Sequence, residues 1–591
     1  MEQNQTVYSL KTMTPQMQQY SEQLQSANII PIMADLYALR GIKDFSDINL
    51  VQKLEPFNKM KGIQEAVKLL STAILRKEKL CVVADYDVDG ATACAVAVRG
   101  LKMFGADIDY FVPNRFKHGY GLKPSVVDET IEKKNPDMII TVDNGIAAHE
   151  GVDYALKKGL KVLVTDHHLT SDMIPEGDVR VNLYVDNQGK QWVLPIAHAI
   201  VNPNQPDCQF PSKNLAGCGV IFYLLSALRQ YMIENGAYTN QNAPNIFSLL
   251  DLVAIGTVAD VVKLDKNNRI LVNLGLDLIH KGRTKPGVFA LCDVAGIEST
   301  SLGTMDFGFK IGPRLNAAGR LEDMSIGINC LLTDSNETAK KLATELNSIN
   351  VKRRAVETEM KDHALSLPIL KEEGYSKVAY DESYHEGVIG IVASRIKDMF
   401  YRPTIVFAPA SEEGHIKGSG RSINEIHLRD ALDYVHKKNS EVLSIFGGHA
   451  MAAGLTIKLE HLDKFRELFE EAVKHFSGGK ELFNTKEVDI DLPGKYITLE
   501  SAETIKKGIW GAGFPAPLFM SEFSIVEQRI LKEAHLKLVV EKDGMIYEGI
   551  WFNQKTQLEQ DSVKLIYILD INEYRNNKKV QLLIQGMYEG D

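Results

Sequence analysis

Three apolar runs that each break into an acid, spaced by helix-length segments, restrict this chain to a narrow set of folds. CVVADYDVDG (Cys81–Gly90), MIITVDNG (Met138–Gly145) and VLVTDHH (Val162–His168) all have this form. A near-continuous apolar run of four to six residues suits a strand buried on both faces, which is the habit of a parallel sheet. The spacing predicts strands at Leu80–Ala84, Ile108–Val112, Asp137–Val142 and Lys161–Thr165, with helices at Ala91–Gly105, Pro124–Lys134 and Ala147–Lys158 between them. Strands alternating with helices of this length form a parallel α/β sheet with right-handed crossovers.

That order dictates where chemistry can occur. Ligands of open α/β sheets bind just beyond the carboxyl ends of the strands. Asp85, Asp87 and Asp89 follow the first strand, Asp143 a later one, and Asp166, His167 and His168 the last, so all seven face one crevice. A single acid there reads equally well as a helix cap. Three acids in alternation repel one another and call for a cation, and carboxylates with one or two imidazoles suit Mn²⁺ or Mg²⁺. A carboxylate shared by two such ions about 3.5–4 Å apart is the usual device for hydrolysing a phosphoester. Gly90 reads as the tight turn into the helix.

Composition excludes several alternatives. At 591 residues and 45% hydrophobic content, the chain has room for several domains with real cores. The six cysteines form no C-x-x-C pair, so neither a disulfide framework nor a thiolate zinc site is indicated, and a cytoplasmic, reducing setting is expected. The N-terminus reads as untargeted and no run is long enough to cross a membrane. A formal charge of −10 argues against coating nucleic acid by bulk electrostatics, but it leaves room for a locally basic groove.

DYDVDG, VDNG and TDHH, in this order on successive strands, resemble the first three motifs of the DHH phosphoesterases. The resemblance implies a fourth acid on a later apolar segment. LLDLVAIGTVAD (Leu249–Asp260) supplies it, with Asp260 the better match and Asp251 the alternative. GYGL (Gly119–Leu122), VNPN (Val201–Asn204), GPRLNAAGRLED (Gly312–Asp323), HEGVIGIVASR (His385–Arg395) and FGGHAMAAGL (Phe446–Leu455) are similar to stretches of the family's single-strand-specific exonuclease branch. The similarity runs from about Ile30 to near the C-terminus.

The resemblance implies an N-terminal cap region over 1–60, a parallel-sheet DHH catalytic domain over 61–334 and a connecting helix over 335–367. A second α/β domain of DHHA1 type over 368–480 and an OB-like β-barrel over 481–591 follow. It implies a metal-dependent 5′-to-3′ exonuclease that degrades single-stranded DNA to mononucleotides in recombination and repair. Asp85, Asp87, Asp89, Asp143, His167 and Asp260 would hold two Mn²⁺ or Mg²⁺ ions, with His168 and Asp166 catalytic. The partners implied are single-stranded DNA, a single-strand-binding protein and a RecQ-type helicase. A phosphodiesterase for short oligonucleotides or cyclic dinucleotides, and a non-catalytic replication scaffold, are the alternatives.

The remaining motifs also read on their own terms. GPRLNAAGR places Arg314, Asn316 and Arg320 in a small-residue turn where guanidiniums can clamp a phosphate. Ser335–Leu367 is a long polar helix. GHIKGSGRS reads as a Gly-rich turn suited to phosphate oxygens, and FGGHAMAAG repeats the pattern. From the resemblance, nucleic-acid binding passes to Arg421, Gly448 and His449. Met1 to about Asn28, Gln-rich and polar, reads as loosely held. The last hundred residues read as five short strands closing a barrel, with Trp551 either buried in it or stacking on a base.

Overall fold

The computed structural model describes residues 6–50, 53–574 and 577–588. The chain forms two compact units, one of residues 13–350 with 503–516, the other built from 351–502 and 517–588 with the first few residues.

In the first unit the expected parallel sheet is present. Its strands are β1 (Lys79–Ala84), β2 (Asp107–Phe111), β3 (Met138–Val142), β4 (Lys161–Thr165) and β5 (Ala199–Val201), in the order β2-β1-β3-β4-β5. Every neighbouring pair is parallel, with Val83 level with Thr141 and Val142 level with Thr165. Alternation divides the strand residues between two covered faces. Cys81, Val83, Ile139, Val162 and Val164 pack with Val126, Val127 and Val152 of two covering helices. Helices α1 (Val88–Met103), α2 (Gly217–Glu234) and α3 (Leu250–Ala259) pack together, with α1 also against β1. A 2-1-3-4-5 order reverses direction between β1 and β3, so the crevice opens at the carboxyl ends of those two strands.

Several local readings are corrected. Helix α1 starts at Val88, three residues before the expected start. Gly90 lies within its first turn, where a Cβ would run into the Asp85 carbonyl, so close approach and not a tight turn requires glycine. GPRLNAAGRL is a helix, α4 (Gly312–Leu321), not a turn. The polar N-terminus is ordered over the described residues. Val7–Leu10 pairs in parallel with Thr485–Val488, and Pro15–Ser26 is a helix capped by Thr14. Residues 1–5 lie outside the described residues. The sequence boundaries are crossed twice: Val7–Leu10 joins the second unit, and 503–516 joins the first, where Trp510 stacks on Phe514 and Tyr37 beneath the Arg40 guanidinium.

One helix, α5 (Asn336–Ser366), carries the chain from one unit to the other. The second unit contains a mixed five-stranded sheet of β6 (Lys377–Tyr380), β7 (Thr404–Pro409), β8 (His415–Arg421), β9 (Ile445–Gly448) and β10 (Ala452–Lys458), ordered β9-β10-β8-β7-β6. The stretch expected as a Gly-rich turn is therefore strand β8, and FGGHAMAAG is a hairpin with His449 in its turn. Glycine lets partners crowd this sheet: a Cβ at Gly418 would strike Phe407 and Leu455. Beyond it, β11 (Phe519–Leu531), β12 (His535–Lys542), β13 (Met545–Trp551), β14 (Ser562–Tyr574) and β15 (Asn577–Met587) pair in the order β11-β12-β13-β15-β14. Strand β14 returns to β11, which closes the barrel and leaves none of the five as a bare edge. Among the described residues no helix is long and apolar enough to cross a membrane.

Candidate metal centre

The acids that ended the apolar runs converge at the β1/β3 crevice. Asp87 caps α1, its Oδ1 accepting the Gly90 N–H at 2.9 Å, so capping and site formation coincide. Asp89, in the first turn of α1, is buried with both oxygens bonded by the first amides of α2, Gly217 N–H and Cys218 N–H (2.9 Å for the latter). A helix N-terminus is a natural holder of a carboxylate, and each oxygen keeps a second lone pair. Asp143 leaves β3 with φ +60°, a left-handed conformation that aspartate tolerates, and Gly145 follows at φ +118°. Asn144, between them, donates to the Val83 and Val142 carbonyls and so stitches the ends of β1 and β3 together.

The DHH triplet lies just beyond β4, so strand alternation does not apply to it. The rings of the two histidines lie 4.4 Å apart. Asp166 faces inward and is fully engaged. Its Oδ1 accepts the His167 and His168 amides and His168 Nδ1 at 2.7 Å, and its Oδ2 accepts Ile146 N–H at 2.9 Å. It therefore orients His168, and it belongs to none of the three groups of metal-ligating atoms. Asn204 and Asn202 donate to the His167 and His168 carbonyls, which explains the VNPN motif.

Metal-ligating atoms cluster in three overlapping groups: Asp85, Asp87 and Asp143; Asp143, His167 and His168; Asp89, His167 and Asp260. Within each group the ligand atoms lie within 4.8 Å of one another. Asp143 joins the first two groups and His167 the last two. Nε2 of His167 is 3.1 Å from Asp143 Oδ1 and 3.6 Å from Asp260 Oδ2. Asp85 Oδ1, Asp143 Oδ1, His167 Nε2 and Asp260 Oδ2 are nevertheless buried without a hydrogen-bond partner. Four orphaned acceptors spread over these overlapping groups would be costly in a folded core, and hard divalent cations would satisfy them. The donor set fits such an ion.

The electrostatics agree. Burial, then the Asp87 charge, pushes Asp85 up to about 8. Burial and neighbouring acids raise Asp143 and Asp260 well above the usual carboxylate range, and burial raises Asp89. Burial lowers His167 and keeps its imidazole neutral, the ligating form. Burial lowers His168 too, but the Asp166 hydrogen bond and the surrounding acids prevail and raise it to about 9.

Asp260 caps the C-terminal end of α3 at the cluster. Asp251, the alternative, sits at the other end of α3, bonded to Thr284 Oγ1 (2.6 Å) and Lys285 N–H. Arg314 is tied within its own unit to Asn347 Oδ1 and the Lys310 and Val294 carbonyls. Asn316 and Arg320 share α4 with Gly319, whose missing Cβ lets α4 pack on the Tyr86 carbonyl of the DYDVDG loop. Arg421, in the second unit, bonds Ser419 Oγ and the Gly420 carbonyl, and Gly448 (φ +149°) and His449 lie on the neighbouring hairpin.

Four features were not read from the sequence. Tyr120 of GYGL lies against His168, ring centroids 5.9 Å apart, with its hydroxyl 3.3 Å from the Asp143 carbonyl. Arg115 stacks on Tyr86 at 4.5 Å and lowers the Asp85 pKa. The α2 amides hold Asp89. Gly217 and Gly256 are required because a Cβ would strike Asp143 at the first and Thr92 or Cys218 at the second. The first two lie in or beside quoted motifs, but their spacing carries no periodic signal; the last two have none.

Three family models match in order: the DHH family, N-terminal domain, over 79–257; the DHHA1 domain over 374–475; and the RecJ OB domain over 488–586. The single-stranded-DNA-specific exonuclease RecJ of Escherichia coli strain K12 is 42% identical over 578 residues, covering 95% of this chain and 96% of that protein. The protein of the same name from Bacillus subtilis strain 168 is 32% identical over 94% of this chain and 68% of its own length. The crystal structure of RecJ in complex with Mn²⁺ from Thermus thermophilus matches with a TM-score of 0.80 at 27% identity, over 99% of this chain and 80% of that one.

Proposed function

Given that the chain belongs to the RecJ family of single-stranded-DNA-specific exonucleases, we propose that its buried acids form a two-ion centre that hydrolyses the terminal phosphodiester of single-stranded DNA. The observation that carries this reading is the set of orphaned ligand atoms at the β1/β3 crevice. Asp85, Asp87, Asp89, Asp143, His167 and Asp260 would hold Mn²⁺ or Mg²⁺, and Asp143 is common to two of the groups. The ions supply Lewis acidity that activates water and neutralises phosphate oxygens.

The chain's own residues do the rest. The α2 amides fix Asp89 so that its remaining lone pairs point into the crevice. Asp166 holds the His168 ring, which faces the phosphate and stabilises charge on its oxygens. Asn202 and Asn204 lock the backbone of both histidines. Arg314, Asn316, Arg320, Arg421, Gly448 and His449 remain proposed contacts to the nucleic acid. Arg314 is the weakest of these, since its guanidinium already has three partners.

The same reading extends to 5′-to-3′ direction, mononucleotide products, a cytoplasmic role in recombination and repair, and partnership with a single-strand-binding protein and a RecQ-type helicase. A scaffold role is disfavoured because the acid cluster is complete. Similarity along the whole chain, barrel included, favours a polymeric substrate over a dinucleotide. Digestion of oligonucleotides labelled at either end, single-stranded or duplex, with each metal restored after chelation, tests the proposal. Mononucleotides released from the 5′ end of single strands only are expected. Cleavage of dinucleotides alone, or no metal dependence, would overturn it.

A further inference from the structure

Of the three groups of metal-ligating atoms, the one formed by Asp89, His167 and Asp260 draws its members from three separate segments. Those segments are joined through a carboxylate outside the cluster, Asp265. This acid is the N-cap of the helix Lys266–His280, its Oδ1 accepting Asn268 N–H at 3.0 Å. A cap needs one oxygen. The other, Oδ2, accepts Ser212 Oγ at 2.7 Å and Asn214 Nδ2 at 3.0 Å, in the segment that leads through Leu215 and Ala216 to the α2 amides holding Asp89. Buried Asn268 doubles the connection: its Nδ2 donates to the Asn214 carbonyl on one side and to the Lys263 carbonyl, at 2.9 Å, on the other. Lys263 lies in the short turn that leaves Asp260, and the following Leu264 N–H is fixed to the Ala512 carbonyl at 2.8 Å. Val261 and Val262 alone bridge Asp260 to that anchored stretch, and Val261 is held at φ +63°. A β-branched residue there is a true outlier, and such strain persists only where the surroundings enforce it. His167 joins through Asn204, whose Nδ2 donates to the His167 carbonyl and to that of Lys213, next to Asn214.

We propose that Asp265 is a positioning residue for one ion of the pair: by joining the segment that ends in the α2 amides to the turn that leaves Asp260, it sets the spacing of Asp89 and Asp260 around His167. The inference rests on the two-ion reading and assigns the spacing of one ion's ligands to an acid that belongs to none of the ligand groups. Asp85, Asp87 and Asp143 are placed differently, by the ends of β1 and β3 that Asn144 stitches together. The two ions should therefore respond differently when the connection through Asp265 is cut. Outer partners of this kind hold ligands at the spacing an ion requires, so their loss is felt as weaker binding of that ion.

Two substitutions cut the connection from opposite sides. Asp265→Ser keeps a capping hydroxyl for Asn268 N–H and removes the oxygen that reaches Ser212 and Asn214. Asn214→Ala leaves Asp265 and its cap untouched. Mn²⁺ is titrated calorimetrically into the metal-free full-length proteins, where wild type is expected to take up two ions. Each variant should bind one ion as wild type does and the other about 10- to 100-fold more weakly. The double variant should be no worse than the single ones, because both changes break the same connection. Electron paramagnetic resonance gives a second readout without turnover: at a Mn²⁺ concentration that fills both sites of wild type, the spin-coupled signal of the pair should give way in the variants to that of an isolated ion. Equal weakening of both ions together with a lower melting temperature in EDTA is what a merely structural Asp265 would produce, and it would overturn the positioning role. Wild-type affinity for both ions in either variant would overturn it as well. Uptake of a single Mn²⁺ by wild type would instead overturn the two-ion reading beneath it.

Discussion

Helix α3 has an aspartate at each end, Asp251 buried and Asp260 partly exposed, and the fold treats the two in opposite ways. Asp251 lies at the amino end, where the helix dipole favours a negative charge, and its oxygens accept from Leu252 N–H, Thr284 Oγ1 and Lys285 N–H, with Lys285 Nζ 3.6 Å away. Asp260 lies at the carboxyl end, where the dipole opposes it. One of its oxygens has no partner, and other acids surround it. Nine residues of one apolar segment separate an acid that stabilises the protein from one that strains it. In α3 the acid set against the dipole with an unpartnered oxygen belongs to the cluster of ligand atoms, and the one set with the dipole and three donors does not.

The largest effects should separate the two ends most sharply. Asp260→Asn, or Asp143→Asn at the shared position, should lower kcat at least about a thousandfold. Either substitution relieves repulsion in the metal-free protein, so its melting temperature in EDTA should hold or rise. Asp251→Asn should do the reverse, destabilising the first unit by about 3–5 kcal/mol because it breaks a buried, fully bonded charge, while folded molecules keep their turnover. Loss of metal binding in Asp251→Asn at an unchanged melting temperature would mean that the two ends had been assigned the wrong way round.

A smaller effect tests the same distinction within the DHH triplet, where Asp166 resembles Asp251 and His167 resembles Asp260. Asp166→Asn should cut turnover about 10- to 100-fold by releasing the His168 ring. In calorimetric titration, His168→Ala should keep Mn²⁺ affinity within about tenfold of wild type, and His167→Ala should lose more. Equal losses from the two histidine variants would make His168 a ligand too.

The difference between the two kinds of acid also marks how far the sequence could be read. The strands, the closed barrel and the convergence of the seven crevice residues follow from short apolar runs, from the spacing of short strands near the C-terminus and from one rule about strand ends, all local patterns. Whether an acid is satisfied depends on donors far along the chain: Gly217 and Cys218 for Asp89, Thr284 and Lys285 for Asp251, Ile146 for Asp166. No spacing encodes those pairings. Glycine misled the reading for a related reason. In GHIKGSGRS and FGGHAMAAG it signalled turns, yet in the fold it clears space for strand and hairpin packing that only the assembled sheet reveals.

The smallest expected effect is the most direct measure of the unmet charge. In the metal-free protein Asp85 is pushed up to about 8 by burial and by Asp87, from an ordinary value of 3.8. Between those values the unfolded chain has released a proton that the folded chain still holds. Raising the pH therefore favours unfolding, by up to about 1.4 kcal/mol per pH unit for one such group. The contribution is fully present below about 4 and is lost as the pH climbs through about 8. Bound Mn²⁺ removes the penalty because the carboxylate is then a ligand. The melting temperature in EDTA should thus fall between about pH 6 and pH 8 more than it does with Mn²⁺, and the stabilisation by Mn²⁺ should widen over the same interval, by a few degrees for a unit of this size. Asp85→Asn should flatten the EDTA curve, whereas a conservative change at Asp251, whose oxygens are already bonded, should lower both curves together and leave their separation as it was. If the two curves run parallel in the wild type, the crevice acids are satisfied without a cation and the contrast between the two ends of α3 fails.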